Sequence, residues 1–121
     1  MSRHLYIIHC LDDLSSEFVD KGVRFGATQK RLAAYADHKA YLATTNDPSL
    51  PTYIKKIAAG PMESEDGKYM IGSCFIVEAT RAEAEAFNQN DPFYKTGVWG
   101  QVCYLFPFDS DNIMLYYIDI H

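Results

Sequence analysis

Residues 69–92 read YMIGSCFIVEATRAEAEAFNQNDP, and this stretch decides the fold class. From Tyr69 to Ala79 the chain is β-branched and aromatic, with Cys74-Phe75-Ile76-Val77 at its centre, which predicts a long strand. Thr80 then supplies a hydroxyl where a helix would start, and Glu83 stands three residues on. That is the spacing of a capping box, in which each side chain satisfies a backbone N–H beside the other. Arg81 to Gln89 is rich in Ala and Glu and free of Gly and Pro, so a short helix follows at once. Asn90-Asp91-Pro92 stops it.

Upstream, Glu63-Ser64-Glu65-Asp66-Gly67-Lys68 is a hydrophilic turn, preceded by a short strand from Ile54 to Ala59 that Gly60-Pro61 closes. The two prolines of Asn46-Asp47-Pro48-Ser49-Leu50-Pro51 mark a loop. Arg24 to Thr45 is rich in Ala, Lys, Arg, Leu and Gln, which predicts a helix of about five turns. Asp12 to Asp20 is polar and turn-like, and Leu5 to Leu11 is a further strand. Downstream come a loop with Gly97 and Gly100, a strand from Gln101 to Phe108, a turn at Asp109-Ser110-Asp111-Asn112, and a last strand from Ile113 to Ile120.

The order is β-α-β-β-α-β plus a C-terminal strand, an α+β chain with the ferredoxin-like pattern. Its sheet should be mainly antiparallel, with both helices on one face. Tyr104, Phe106 and Phe108, and likewise Ser73, Phe75 and Val77, alternate along their strands and are assigned to the bare face. A large apolar face must be covered, and a second copy of the chain is the simplest cover, so a homodimer is expected.

Composition narrows the function. The 121 residues carry a net charge of −5, fit one domain over 1–121, and include nine Tyr, seven Phe and one Trp. An acidic chain with scattered basic residues is no nucleic-acid binder. No apolar run is long enough to span a membrane, and Leu5–Leu11 is followed by no small-residue cleavage site, so a cytoplasmic protein is expected. Cys10, Cys74 and Cys103 form no C-x-x-C pair and read as reduced, buried thiols. The histidines lack metal-site spacing, so no metal is expected, and no G-x-G-x-x-G or Walker loop suggests a nucleotide cofactor.

His38 and Asp91 are an imidazole and a carboxylate, the minimum set for moving a proton at neutral pH. By themselves they read equally as a half-exposed helix residue and a turn-capping Asp before Pro. Arg31 lies seven residues before His38, on the same helix face and about 10.5 Å away along the axis, with Tyr35 between them. This stripe of cation, hydroxyl and base suits a planar anionic or phenolic ligand. It also fits a solvated Arg beside a partly buried Tyr. His9, unusual in an apolar strand, reads as a satisfied core or interface residue or as a pocket wall. Asp12 ends the first strand, as a cap or at a pocket mouth. Phe93, Tyr94 and Trp99 flank Asp91, as a pocket wall or as anchors of their loop. Ser73 is a hydrogen-bond donor to ligand without the elbow a nucleophile needs.

The ordered set resembles the YciI-like (YCII-related) family of the dimeric α+β barrel superfamily, over about residues 5–108. It comprises the strand ending at Asp12, Arg31-Leu32-Ala33 with His38, Gly60-Pro61, Gly72-Ser73 leading to Glu78-Ala79, and Asn90-Asp91-Pro92-Phe93-Tyr94 with Gly97. The resemblance implies that His38 and Asp91 form a catalytic dyad. It implies a cofactor-independent acid/base enzyme, a lyase or isomerase, acting on a small oxidised ring compound. The family includes a dehydrochlorinase of a chlorinated hydroxyhydroquinone, and muconolactone isomerase is similar at the superfamily level. Three features depart from the pattern: Tyr35-Ala36-Asp37-His38 stands where relatives often have Arg-Pro-x-His, Thr44–Tyr53 is a long connection, and 109–121 extends past the usual end. Other readings are a non-catalytic small-molecule-binding or regulatory module on the same dimer, and a cofactor-free or haem-linked monooxygenase with His9 and His38 as the haem ligands.

Overall fold

The computed structural model describes residues 4–21 and 23–105. Strand β1 (His4–Asp12) leads through a 3-10 turn (Leu14–Ser16) to a small hairpin, β2 (Phe18–Asp20) and β3 (Val23–Phe25). Helix α1 (Ala27–Thr45), strands β4 (Lys55–Glu63) and β5 (Met70–Ala79), helices α2 (Arg81–Gln89) and α3 (Pro92–Lys95), and strand β6 (Trp99–Leu105) follow. The main sheet runs β4-β5-β1-β6 with every neighbour antiparallel, which is the ferredoxin-like order.

Strand parity decides where side chains go. In β1, Tyr6, Ile8, Cys10 and Asp12 are buried and alternate with half-buried Leu5, Ile7, His9 and Leu11. The buried set faces the helices, where Cys10, Phe75 and Val77 pack with Ala34, Ala84, Phe87 and Phe93. The register carries this parity across the sheet: Tyr104 opposes Ile8, and its hydroxyl donates to Asn88 Oδ1 on α2 at 3.1 Å. Ser73, Phe75 and Val77 are buried on the same side. These residues therefore do not form the bare face. That face carries Leu5, Ile7, His9, Leu11, Cys74, Ile76, Cys103 and Leu105. Alternation marks two faces, and only the helix contacts say which of them is covered.

Boundaries shift for local reasons. Helix α1 starts at Ala27 because Phe25 and its neighbours pair with β2, and Gly26, at φ 94°, turns the chain into the helix. Strand β4 continues through Gly60-Pro61 and pairs Pro61 with Ser73. It is an edge strand, so one side of its backbone needs no ladder donor and proline is tolerated. The loop after Asp91 contains α3, and β6 begins at Trp99. Phe106, Phe108, the extension 109–121 and its strand lie outside the described residues. The three cysteines are free; Cys10 is buried as expected, Cys74 and Cys103 are only half-buried because they lie on the sheet face away from the helices, and desolvation raises each thiol pKa, which keeps them protonated. Among the described residues no helix is long and apolar enough to cross a membrane.

Candidate active site

The short helix α3 brings the carboxylate to the imidazole. Asp91 is its N-cap, with Pro92 at the first helical position, where a missing N–H costs nothing. Asp91 Oδ1 accepts the Phe93 N–H at 2.8 Å. The same oxygen lies 2.7 Å from His38 Nδ1, deep in the protein, with His38 only 7% and Asp91 0% exposed. The Phe93 ring stacks on the imidazole at 3.8 Å and 5°, and Trp99 meets it edge-on at 6.4 Å. The ring is thus fixed in plane and direction. In the neutral imidazole facing an ionised Asp91, Nδ1–H is the donor and Nε2 keeps its lone pair. No described residue bonds Nε2, and His38 lines a cavity.

That cavity, about 180 Å³, lies between α1 and strands β4 and β5. Helix α1 contributes Arg31, Tyr35, His38, Lys39 and Leu42; the strands contribute Ala59, Gly60, Pro61, Met70, Ser73 and Phe75. The lining is largely apolar with a few convergent polar groups, the usual make-up of a small-molecule site.

Arg31 is tied down at its buried end. Its Nε and Nη2 donate to the two oxygens of Asp12 at 2.9 and 2.7 Å, a bidentate pair. Nη2 also reaches Gly72 O at 3.0 Å and Ser73 Oγ at 3.4 Å. The guanidinium sits 4.7 Å from the Phe93 ring centroid, so Phe93 touches both Arg31 and His38. Gly72 is required here, since a Cβ would collide with the Cys10 carbonyl and with Met62.

The structure joins His38 with Asp91 and Arg31 with Asp12, and places Arg31, Tyr35 and Ser73 on the cavity wall. Tyr35 is at the rim, 43% exposed. Phe93, on α3, and Trp99, at the start of β6, back the imidazole instead of walling the cavity. His9 does not line the cavity either: it follows the parity of Leu5 and Ile7, on the sheet face away from the helices. Lys39, Leu42 and Met70 are wall residues that the sequence reading passed over. Helical spacing from Arg31 and Tyr35 was enough to find the first two. Met70 is placed by the β5 register and has no local signal.

A YCII-related domain model matches residues 5–108. Among solved structures, 5-chloro-2-hydroxyhydroquinone dehydrochlorinase (TftG) from Burkholderia phenoliruptrix AC1100, in complex with 2,5-dihydroxybenzoquinone, is similar with a TM-score of 0.61. The two chains are 30% identical over 84% of this chain and 90% of that one. No curated protein matches.

Proposed function

The chain belongs to the YCII-related family, and on that premise we propose that it is a cofactor-independent acid/base enzyme acting on a small oxidised ring compound. The observation that carries this reading is the 2.7 Å contact between His38 Nδ1 and Asp91, which leaves Nε2 free at a ring-sized cavity. Nε2 takes a proton from the substrate, and Asp91 offsets the charge of the imidazolium. The electron pair released moves into the ring system. In an elimination the leaving group departs with its bonding pair, and the net change is loss of HX without oxidation. In an isomerisation the imidazolium returns the proton at another carbon. The neighbour's dehydrochlorinase activity supports the elimination branch. Arg31 and Ser73 orient the ring, which displaces water from Nε2 as it fills the cavity.

The working unit in this reading is a homodimer in a dimeric α+β barrel, closed over the face that carries Ile7, His9 and Ile76. The test is chloride release from a chlorinated hydroxyhydroquinone. Wild-type protein should release chloride, and His38→Ala should lower kcat about 10²–10⁴-fold. Turnover unchanged by His38→Ala, or ring binding by calorimetry without any release, overturns the assignment in favour of a binding module.

A further inference from the structure

The cavity presents two cations in different electrostatic states. Arg31 is paired with Asp12 through two hydrogen bonds, at side-chain exposures of 7% and 1%. Its charge is therefore cancelled on the spot. Among the described residues its Nη1 meets only the Met70 thioether, 3.9 Å away, which is a weak acceptor that a ligand oxygen would displace. Arg31 thus offers N–H donors without net charge, and Ser73 beside it adds a hydroxyl. Such an end suits a carbonyl or nitro oxygen better than a full anion.

Lys39 is the opposite case. It is an exposed residue that lines the same cavity beside Tyr35 at the rim, with Nζ 5.7 Å from the Tyr35 ring centroid. Among the described residues it has no ion-pair partner, and no Asp or Glu lines the cavity. The free positive charge of the site is at its mouth.

We propose that Lys39 anchors an ionised ring oxygen at the cavity mouth while Arg31 and Ser73 receive an uncharged oxygen at the buried end. The favoured ligand is therefore a monoanionic single ring with oxygens on opposite sides. This rests on the reading of the cavity as a ring site. It makes Lys39 a specificity-determining residue and fixes which end of the ligand enters first, leaving the ring between the two anchors beside His38 Nε2.

The probes are 4-nitrophenol above its ionisation pH and 4-nitroaniline, its uncharged isostere, titrated calorimetrically against wild type and Lys39→Met. Met retains the apolar stem and removes the charge. Wild type should bind the phenolate more tightly than the aniline, and added salt should erase the difference. Lys39→Met should weaken phenolate binding about fivefold and leave aniline binding unchanged. Equal loss of both probes, or no change in either, overturns the anchor, as does failure of both to bind wild type. The anchor and the proposed reaction fail separately: phenolate selectivity without chloride release keeps Lys39 and removes the chemistry, and release without selectivity does the reverse.

Discussion

Asp91 does two jobs with one oxygen, and a pair of substitutions separates them. Oδ1 accepts from His38 Nδ1 at 2.7 Å and from Phe93 N–H at 2.8 Å, at a fully buried position. Asp91→Ala deletes both acceptors. Losing the N-cap costs about 1 kcal/mol. Leaving the imidazole N–H unsatisfied in the interior costs about 1–3 kcal/mol more. For a chain of 121 residues each kcal/mol moves Tm by about 4 °C, so Asp91→Ala should melt about 8–16 °C below wild type.

Asp91→Asn should behave differently. An amide oxygen can accept both bonds, and Asn is as good an N-cap as Asp. Asp91 Oδ2 has no partner among the described residues, so the amide NH₂ that replaces it breaks no bond. Stability should fall less than in Asp91→Ala, because both Oδ1 bonds remain and an unpartnered amide NH₂ replaces an unpartnered carboxylate oxygen. Turnover should still fall, because no charge remains to offset the imidazolium. Thermal melts report the first effect, chloride release the second, and ¹⁵N NMR of His38 the tautomer. The reasoning is refuted if Asp91→Asn melts as low as Asp91→Ala, if it turns over like wild type, or if the wild-type Nδ1 carries no proton.

Two further outcomes follow from buried charge and buried hydroxyls. Asp12→Ala strands the Arg31 guanidinium and should cost about 3–5 kcal/mol in urea unfolding. Adding Arg31→Met should restore part of that stability, and a double variant weaker than either single one would contradict the pairing. At alkaline pH the stability curve should peak near 9, because above the ordinary cysteine value the unfolded chain loses thiol protons that Cys10, Cys74 and Cys103 keep in the fold. Burial pushes the Lys56 ammonium down to about 8, so the unfolded chain holds that proton more tightly and the Lys56 contribution to stability rises from about 8 to the ordinary lysine value. Burial raises Tyr41 and Tyr104 to about 12, so their contribution is complete below the ordinary tyrosine value and is lost as pH climbs through 12. Lys56→Met should flatten the rising limb and Tyr41→Phe with Tyr104→Phe the falling one. A Lys56→Met variant whose unfolding free energy keeps the wild-type pH dependence between about 8 and 10 would contradict the Lys56 part.

The parts of the fold that local chemistry controls were legible. The capping box at Thr80 and Glu83 forms as its spacing implies, with bonds of 3.2 and 2.9 Å. The strand order follows from element types and lengths, since a βαββαβ chain with these connections has few layouts. Features set by tertiary contacts were not legible. The strands of the small hairpin, Phe18–Asp20 and Val23–Phe25, are too short to show a period. Pro61 reads as a terminator until β4 is known to be an edge. The face bearing Phe75, Val77 and Tyr104 could be assigned only once Cys10 and Tyr104 were seen bonding to Asn88 of α2.

The site divides in the same way, and the division explains why Arg31 looked like an anion clamp. Helix geometry correctly placed Arg31, Tyr35 and His38 in one stripe, because that depends on spacing alone. The jobs of Arg31 and His38 depend on partners 19 and 53 residues away, Asp12 and Asp91, which no helical period encodes. Only the family resemblance connected His38 to Asp91. Nothing connected Arg31 to Asp12, although a carboxylate buried at the end of an apolar strand needs a cation nearby. Applied to Asp12, that requirement points to the nearest α1 cation on the helix face shared with His38, which is Arg31. With Arg31 neutralised by Asp12, Lys39, next to His38 on the helix, is the cavity cation that can carry the proposed anion contact.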